Sequence, residues 1–162
     1  EEESRFVCES APRKLVERVA CGENFTNNTE NSWVAVDLGE DRTMRVTHYC
    51  LRYDDGHDMS PTAPYLMNWE LQALHEAGPR GWTTLRRHKS DRSLFGATHS
   101  VAAFMQGGGP GHSVAAFEVT QHTGTAFRHF RVHQHGPNGA GTNYLVCGGL
   151  ELYGTLFDGA TY

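Results

Sequence analysis

At 162 residues the chain has room for one hydrophobic core of ordinary size and not for two comfortable domains. A hydrophobic fraction of 38%, with 20% charged and 10% aromatic residues, belongs to a folded, soluble chain rather than a disordered one. The net charge of -5 supplies no basic footprint for nucleic acid or an anionic membrane, and no apolar run reaches the roughly 18 residues of a membrane span.

The start, "EEESRF", is not a signal peptide and reads as a cut made inside a larger protein. Short segments rich in β-branched and aromatic residues then alternate with turn chemistry, and no apolar stripe holds helical spacing for long. The predicted strands are 15–20 "LVERVA", 32–38 "SWVAVDL", 44–53 "MRVTHYCLRY", 66–74 "LMNWELQAL" and 82–89 "WTTLRRHK". Further strands are expected at 101–105 "VAAFM", 113–120 "SVAAFEVT", 127–134 "FRHFRVHQ" and 147–153 "CGGLELY". This pattern predicts an all-β sandwich or barrel.

Alternation assigns faces within these strands. Trp33, Ala35 and Asp37 face one way and Val34, Val36 and Leu38 the other, while His129, Arg131 and His133 oppose Phe130 and Val132. Trp69 and Trp82, joined through "HEAGPRG", suggest a hairpin with large apolar anchors. The three tryptophans read as core pins, each able to bury on the order of 200 Å², rather than as a recognition surface.

Between the strands, "DDGHDMSPTAP", "HEAGPRG", "QGGGPG" and "HGPNGAG" hold most of the glycine and proline. The connection "RYDDGHDMSPTAPY", residues 52–65, is longer than a turn requires. It offers Arg52, Tyr53, Asp54, Asp55, His57, Asp58 and Tyr65, a set of acids, an imidazole and aromatic edges suited to a basic peptide or a sugar. In "HGPNGAGTNYL", Asn138, Asn143 and Tyr144 offer amide and phenol hydrogen bonds, although asparagine and glycine also serve turns there.

Other constellations are weaker. "RRHKSDRS" contains His88, Ser90 and Asp91, but adjacency in sequence is not a triad, and solvated strand-end charges explain it more simply. His129, His133 and His135 share a strand face with His48 a cross-strand candidate, yet no carboxylate or cysteine is locked to them by spacing, so no metal is expected. Cys8, Cys21, Cys50 and Cys147 lack metal-finger spacing; Cys50 and Cys147 lie in strand-like segments and read as buried free thiols. "ENFTNNTENS" carries two glycosylation sequons, at Asn24 and Asn27, which keep an extracellular location open beside a cytoplasmic one.

The order "NSWVAVDLG", "YCLRY", "NWELQAL…GWTTLRRHKSDRSL" and "AFRHFRVHQHGPNGAGTNYLVCGGLELYG" resembles the discoidin family, also called coagulation-factor type C or galactose-binding-like domains. It is most similar to the intracellular branch found within HECT-type ubiquitin ligases and BTB-domain proteins. The resemblance covers about residues 31–154, with 1–30 as an N-terminal extension and 155–162 as a tail. It implies a jelly-roll sandwich of about eight strands, five against three, binding through loops at one end. A second implication is a non-catalytic module that recruits a protein or peptide in a cytoplasmic ligase context, with a carbohydrate-binding module as the alternative. Secreted members join their first and last residues by a disulfide, whereas this chain has no cysteine after Cys147. Bacterial members hold calcium partly through a glutamate just before the last strand, where this chain has Gly149; no cofactor is expected.

Overall fold

A computed structural model describes residue 16 and residues 25–54, 62–74, 81–95 and 112–159. The described strands are β1 (Trp33–Asp37), β2 (Arg42–Asp54), β3 (Trp69–Leu74), β4 (Thr83–His88), β5 (His112–Glu118), β6 (His129–Gln134) and β7 (Gly149–Asp158). They form two antiparallel sheets, one of four strands in the order β1-β6-β3-β4 and one of three in the order β5-β2-β7. The protein is a β-sandwich, as its alternation requires. The expected strand at 101–105 lies outside the described residues, as does that at 15–20 except for Val16. Among the described residues the sheets therefore hold four strands against three, and β7 continues through Asp158, past the expected sandwich limit at 154.

The core lies between the sheets. Tyr49, Leu51 and Tyr53 from β2, Phe117 from β5 and Leu150 from β7 meet Trp69, Leu71, Phe130 and Val132 from the four-stranded sheet. Removing this apolar area from water is the main stabilising term. The predicted hairpin is present, β3 pairing with β4. Cys50 and Cys147 are buried free thiols, as expected, while Cys8 and Cys21 lie outside the described residues.

Two irregularities reset which residues face inward. The register of β2 with β7 shifts between Val46 and His48, opposite Gly154, where any Cβ would fall 2.0 Å from the Arg45 carbonyl oxygen. The β3-β4 register shifts between Leu71 and Gln72, because Leu71 faces Arg86 while Gln72 faces Thr84. Leu85 is thus an extra residue on β4, and such a bulge inverts the alternation after it. Leu85 and His88 both point into the core as a result.

The tryptophans divide. Trp69 is fully buried, but Trp33 and Trp82 are half-buried, with Arg131 lying over both rings at 6.0 and 4.3 Å from their centroids. The expectation of three core pins is corrected to one. Trp33 shares the outer face of β1 with exposed Ala35 and Asp37, as its period-two position demands.

Candidate functional site

Antiparallel pairing brings the start of β1, the end of β2, the starts of β3 and β7 and the ends of β4 and β6 to one end of the sandwich. The loops there are tied to one another. Gly139 donates its N–H to the Tyr65 carbonyl at 2.9 Å, and Gly148 donates to the Arg52 carbonyl at 2.7 Å. The described flanks of the 52–65 connection, Arg52 and Tyr65, therefore lie at the same end as the 135–145 loop. The polar segment before β1 joins them: Phe25 bridges Val146, Thr26 and Leu145 exchange hydrogen bonds of 3.1 Å, and Asn143 N–H donates to Asn28 Oδ1 at 2.8 Å.

Two asparagines organise this end. Asn138 is 2% exposed; its Nδ2 donates to Thr142 Oγ1 at 2.8 Å and to the Tyr144 carbonyl at 2.9 Å. Its Oδ1 accepts from the Ala140 and Thr142 N–H groups, both at 3.0 Å. The amide is spent inside its own loop, as buried polar groups require. Asn68 does the same between loops, donating Nδ2 to the Pro137 carbonyl at 2.8 Å and accepting from Ser90 N–H at 2.9 Å. Gly139 is needed for closeness: a Cβ there would sit 2.4 Å from Tyr65 Cε1 and 2.5 Å from the Ala63 carbonyl oxygen.

The predicted site residues separate into distinct environments. Tyr53 and Tyr65, 2% and 1% exposed, are core residues in edge-to-face contact at 6.4 Å, so their rings are not aromatic edges of a surface. Alternation along β2 turns Tyr53 inward with Tyr49 and Leu51. Arg52, 5% exposed, turns to the opposite side, where its Nη2 lies 3.6 Å from Glu151 Oε1. Its guanidinium also fills the space beside Gly149, where a Cβ would approach Nη2 at 2.9 Å. Asp54 closes β2, and Asp55, His57 and Asp58 lie outside the described residues. Asn143 is half-buried, and Tyr144 is 37% exposed, with its ring edge-on to Phe25 at 6.0 Å.

The histidine sites are equally specific. His88 is 4% exposed and stacked flat on Trp69, with ring centroids 4.0 Å apart, so it is not a solvated strand-end charge. Its Nδ1 lies 2.6 Å from Asp91 Oδ2 and its Nε2 lies 2.6 Å from Tyr49 Oη. A carboxylate only accepts, so Nδ1 carries the proton, and Nε2 accepts from the tyrosine hydroxyl. Burial pushes the His88 pKa down against the pull of Asp91, and pushes the Tyr49 hydroxyl far up. The imidazole is neutral, and the chain Tyr49–His88–Asp91 is sealed by a tyrosine of 0% exposure. On β6, His129 Nδ1 lies 3.6 Å from Asp37 Oδ1, whereas His135 Nε2 donates to the His88 carbonyl at 2.9 Å and His48 stands on β2 in the other sheet.

No family model matches this sequence. The fold is that of the discoidin-like, galactose-binding-like β-sandwiches. Its structural likenesses include CBM32-1 from a family 31 glycoside hydrolase of Clostridium perfringens, with a TM-score of 0.58 and 11% identity over 94% of this chain and 91% of that one. A chitosan-binding module 1 from a chitosanase/glucanase of Paenibacillus sp. IK-5 gives a TM-score of 0.55 and 18% identity, over 89% and 85% of the two chains. An F5/8 type C domain from Bacteroides fragilis gives 0.53 and 17%, over 89% and 80%. By sequence, the chain is 34% identical over 137 residues to the E3 ubiquitin-protein ligase hecd-1 of Caenorhabditis elegans. That match takes in 84% of this chain and 4% of the much longer ligase.

Proposed function

We propose that this domain is a non-catalytic protein- or peptide-binding module that recruits a partner or substrate to a larger, cytoplasmic ubiquitin ligase. The observation that carries this reading is the mutual bracing of the loops at one end, through Asn68 and the Gly139–Tyr65 backbone bond, around a rim that presents Asn28, Asn143 and Tyr144. A rigid scaffold holding such loops loses little entropy on binding. Asp54 ends β2 at this end, and the residues that follow it in sequence, Asp55, His57 and Asp58, add acids and an imidazole whose chemistry suits a basic peptide. The 34% identity to a ubiquitin ligase supports the ligase context.

The test is charge reversal at Asp54, Asp55 and Asp58 in the full-length protein, followed by affinity capture from cells. Weaker partner capture with an almost unchanged melting temperature supports the reading; equal capture removes that loop from the site. A second reading, carbohydrate binding, is favoured by the fold shared with CBM32-1 and the chitosan-binding module. Saturable binding on a glycan array, or in titration with galactose-type sugars or chitotriose, would select it instead.

A further inference from the structure

The outer face of the four-stranded sheet carries two acids and a central cation that are treated very differently. Glu70, 2% exposed, accepts from Gln72 Nε2 at 2.6 Å, from Thr84 Oγ1 at 2.8 Å and from the Arg87 guanidinium. Asp37 is gripped in bidentate fashion by Arg128, at 2.6 and 2.9 Å. Both carboxylates are therefore neutralised within the face. Arg131 feels the charge of Glu70 but has no carboxylate in hydrogen-bond contact among the described residues. It is held by one hydrogen bond, Nε to Gln72 Oε1 at 2.7 Å, and by the Trp82 and Trp33 rings at 4.3 and 6.0 Å. The half-buried side chain makes no other hydrogen bond among the described residues, which leaves its terminal Nη1 and Nη2 for a ligand.

We infer that this face is a second binding site, in which Arg131, clamped between Trp33 and Trp82, takes the carboxylate of an acidic peptide segment in a partner protein. A guanidinium fixed by stacking and by its Nε bond has little rotamer freedom left to lose, so its remaining fork is preorganised. Two terminal N–H donors match the two oxygens of one carboxylate. The half-buried indoles on either side offer apolar contact to residues flanking that carboxylate, which favours a peptide over a free anion. On a chain of net charge -5, acid recognition must come from this local contact rather than from the overall field.

The register explains why the site exists. Arg131 pairs with Ala35 on one side and Gln72 on the other, so a small side chain crowds its half-buried guanidinium little while the amide orients it. Trp33, paired with His133, and Trp82, just before β4, then stand diagonally across the sheet from one another.

The experiment uses the alternating peptide acetyl-(Glu-Ala)5, with acetyl-(Gln-Ala)5 as the uncharged control, followed through the indole N–H resonances of the intact domain at low salt. The acidic peptide is expected to shift the Trp33 and Trp82 signals saturably and leave buried Trp69 in place, while the glutamine peptide shifts none. Arg131→Gln should weaken binding about tenfold or more, the loss of one charge-assisted interaction. Arg131→Lys, which keeps the charge and the stem but not the fork, should fall between the two, guarding against a folding defect in the first variant. Equal affinity in Arg131→Gln, or binding that leaves the Trp33 and Trp82 resonances unmoved, overturns the inference.

Discussion

The hydroxyl of Tyr49, on the three-stranded sheet, meets Nε2 of His88, on the four-stranded sheet, at 2.6 Å inside the core. This is a polar cross-brace between two layers otherwise joined by apolar packing, and it continues to the 89–95 loop through Asp91, whose Oδ1 accepts from Ser93 N–H at 2.7 Å. A buried hydrogen bond contributes little net when made and costs much when one partner is deleted. Tyr49→Phe leaves Nε2 of His88 buried without its donor, so the domain should lose about 1–3 kcal/mol of stability while keeping its fold. Urea unfolding checks this, and an unchanged midpoint would contradict the brace.

Acid should weaken the same brace. The His88 pKa lies below its ordinary 6.5, chiefly through burial, so the unfolded chain takes the proton first. Stability from His88 is complete above pH 6.5 and is lost as pH falls toward the folded value; Asp91, also lowered, adds a second loss below its ordinary 3.8. His133, lowered first by burial and then by Arg131, acts in the same direction as His88. The melting temperature should decline from about pH 6.5 downward, and His88→Gln should flatten part of that decline even though its neutral-pH stability is lower. An identical slope in the variant would exclude His88 as the source.

Asn138 supplies four side-chain hydrogen bonds to its own loop, and Gly139 beside it packs on Tyr65. Asn138→Ala should cost about 2 kcal/mol or more. Hydrogen exchange should accelerate at Ala140 and Thr142, whose N–H groups the amide holds. Gly139→Ala should destabilise by about 1–3 kcal/mol through overpacking. If the braced loop end binds the partner, both variants should weaken capture, and thermal melts with exchange measurements separate loop loosening from global unfolding.

The thiol of Cys147 is fully buried and its pKa is pushed up to about 11; burial also raises that of Cys50. Since the thiolate is the reactive form, both should be inert while the domain is folded. In a Cys8→Ser, Cys21→Ser background, an aromatic disulfide reagent at about pH 8 should label neither thiol in native buffer and both in urea. Rapid native labelling would show that the β2 or β7 region opens.

Much of the fold was legible because period-two alternation and turn chemistry are local. "SWVAVDL" and "FRHFRVHQ" show their inward and outward faces in the sequence itself, and β1 and β6 follow them. The loop character of 135–145 was legible for the same reason, whereas most of the expected 52–65 loop lies outside the described residues and Arg52–Asp54 belong to β2. Composition cannot reveal which polar groups a loop spends on itself. Asn138 read as a ligand donor and proved to be a buried organiser, while Tyr53 and Tyr65 read as surface edges and proved to be core.

What the sequence alone determined is the class of architecture: strand periodicity, turns and the absence of helical stripes leave a two-layer β body as the way to bury these apolar positions. Tertiary structure decided the rest, because it depends on register between strands distant in the chain. One extra residue at Leu85 turns His88 inward onto Trp69 and Tyr49, and cross-strand pairing places Arg131 between Trp33 and Trp82. Neither parity nor partner is written in a segment by itself, since both arise only when strands align.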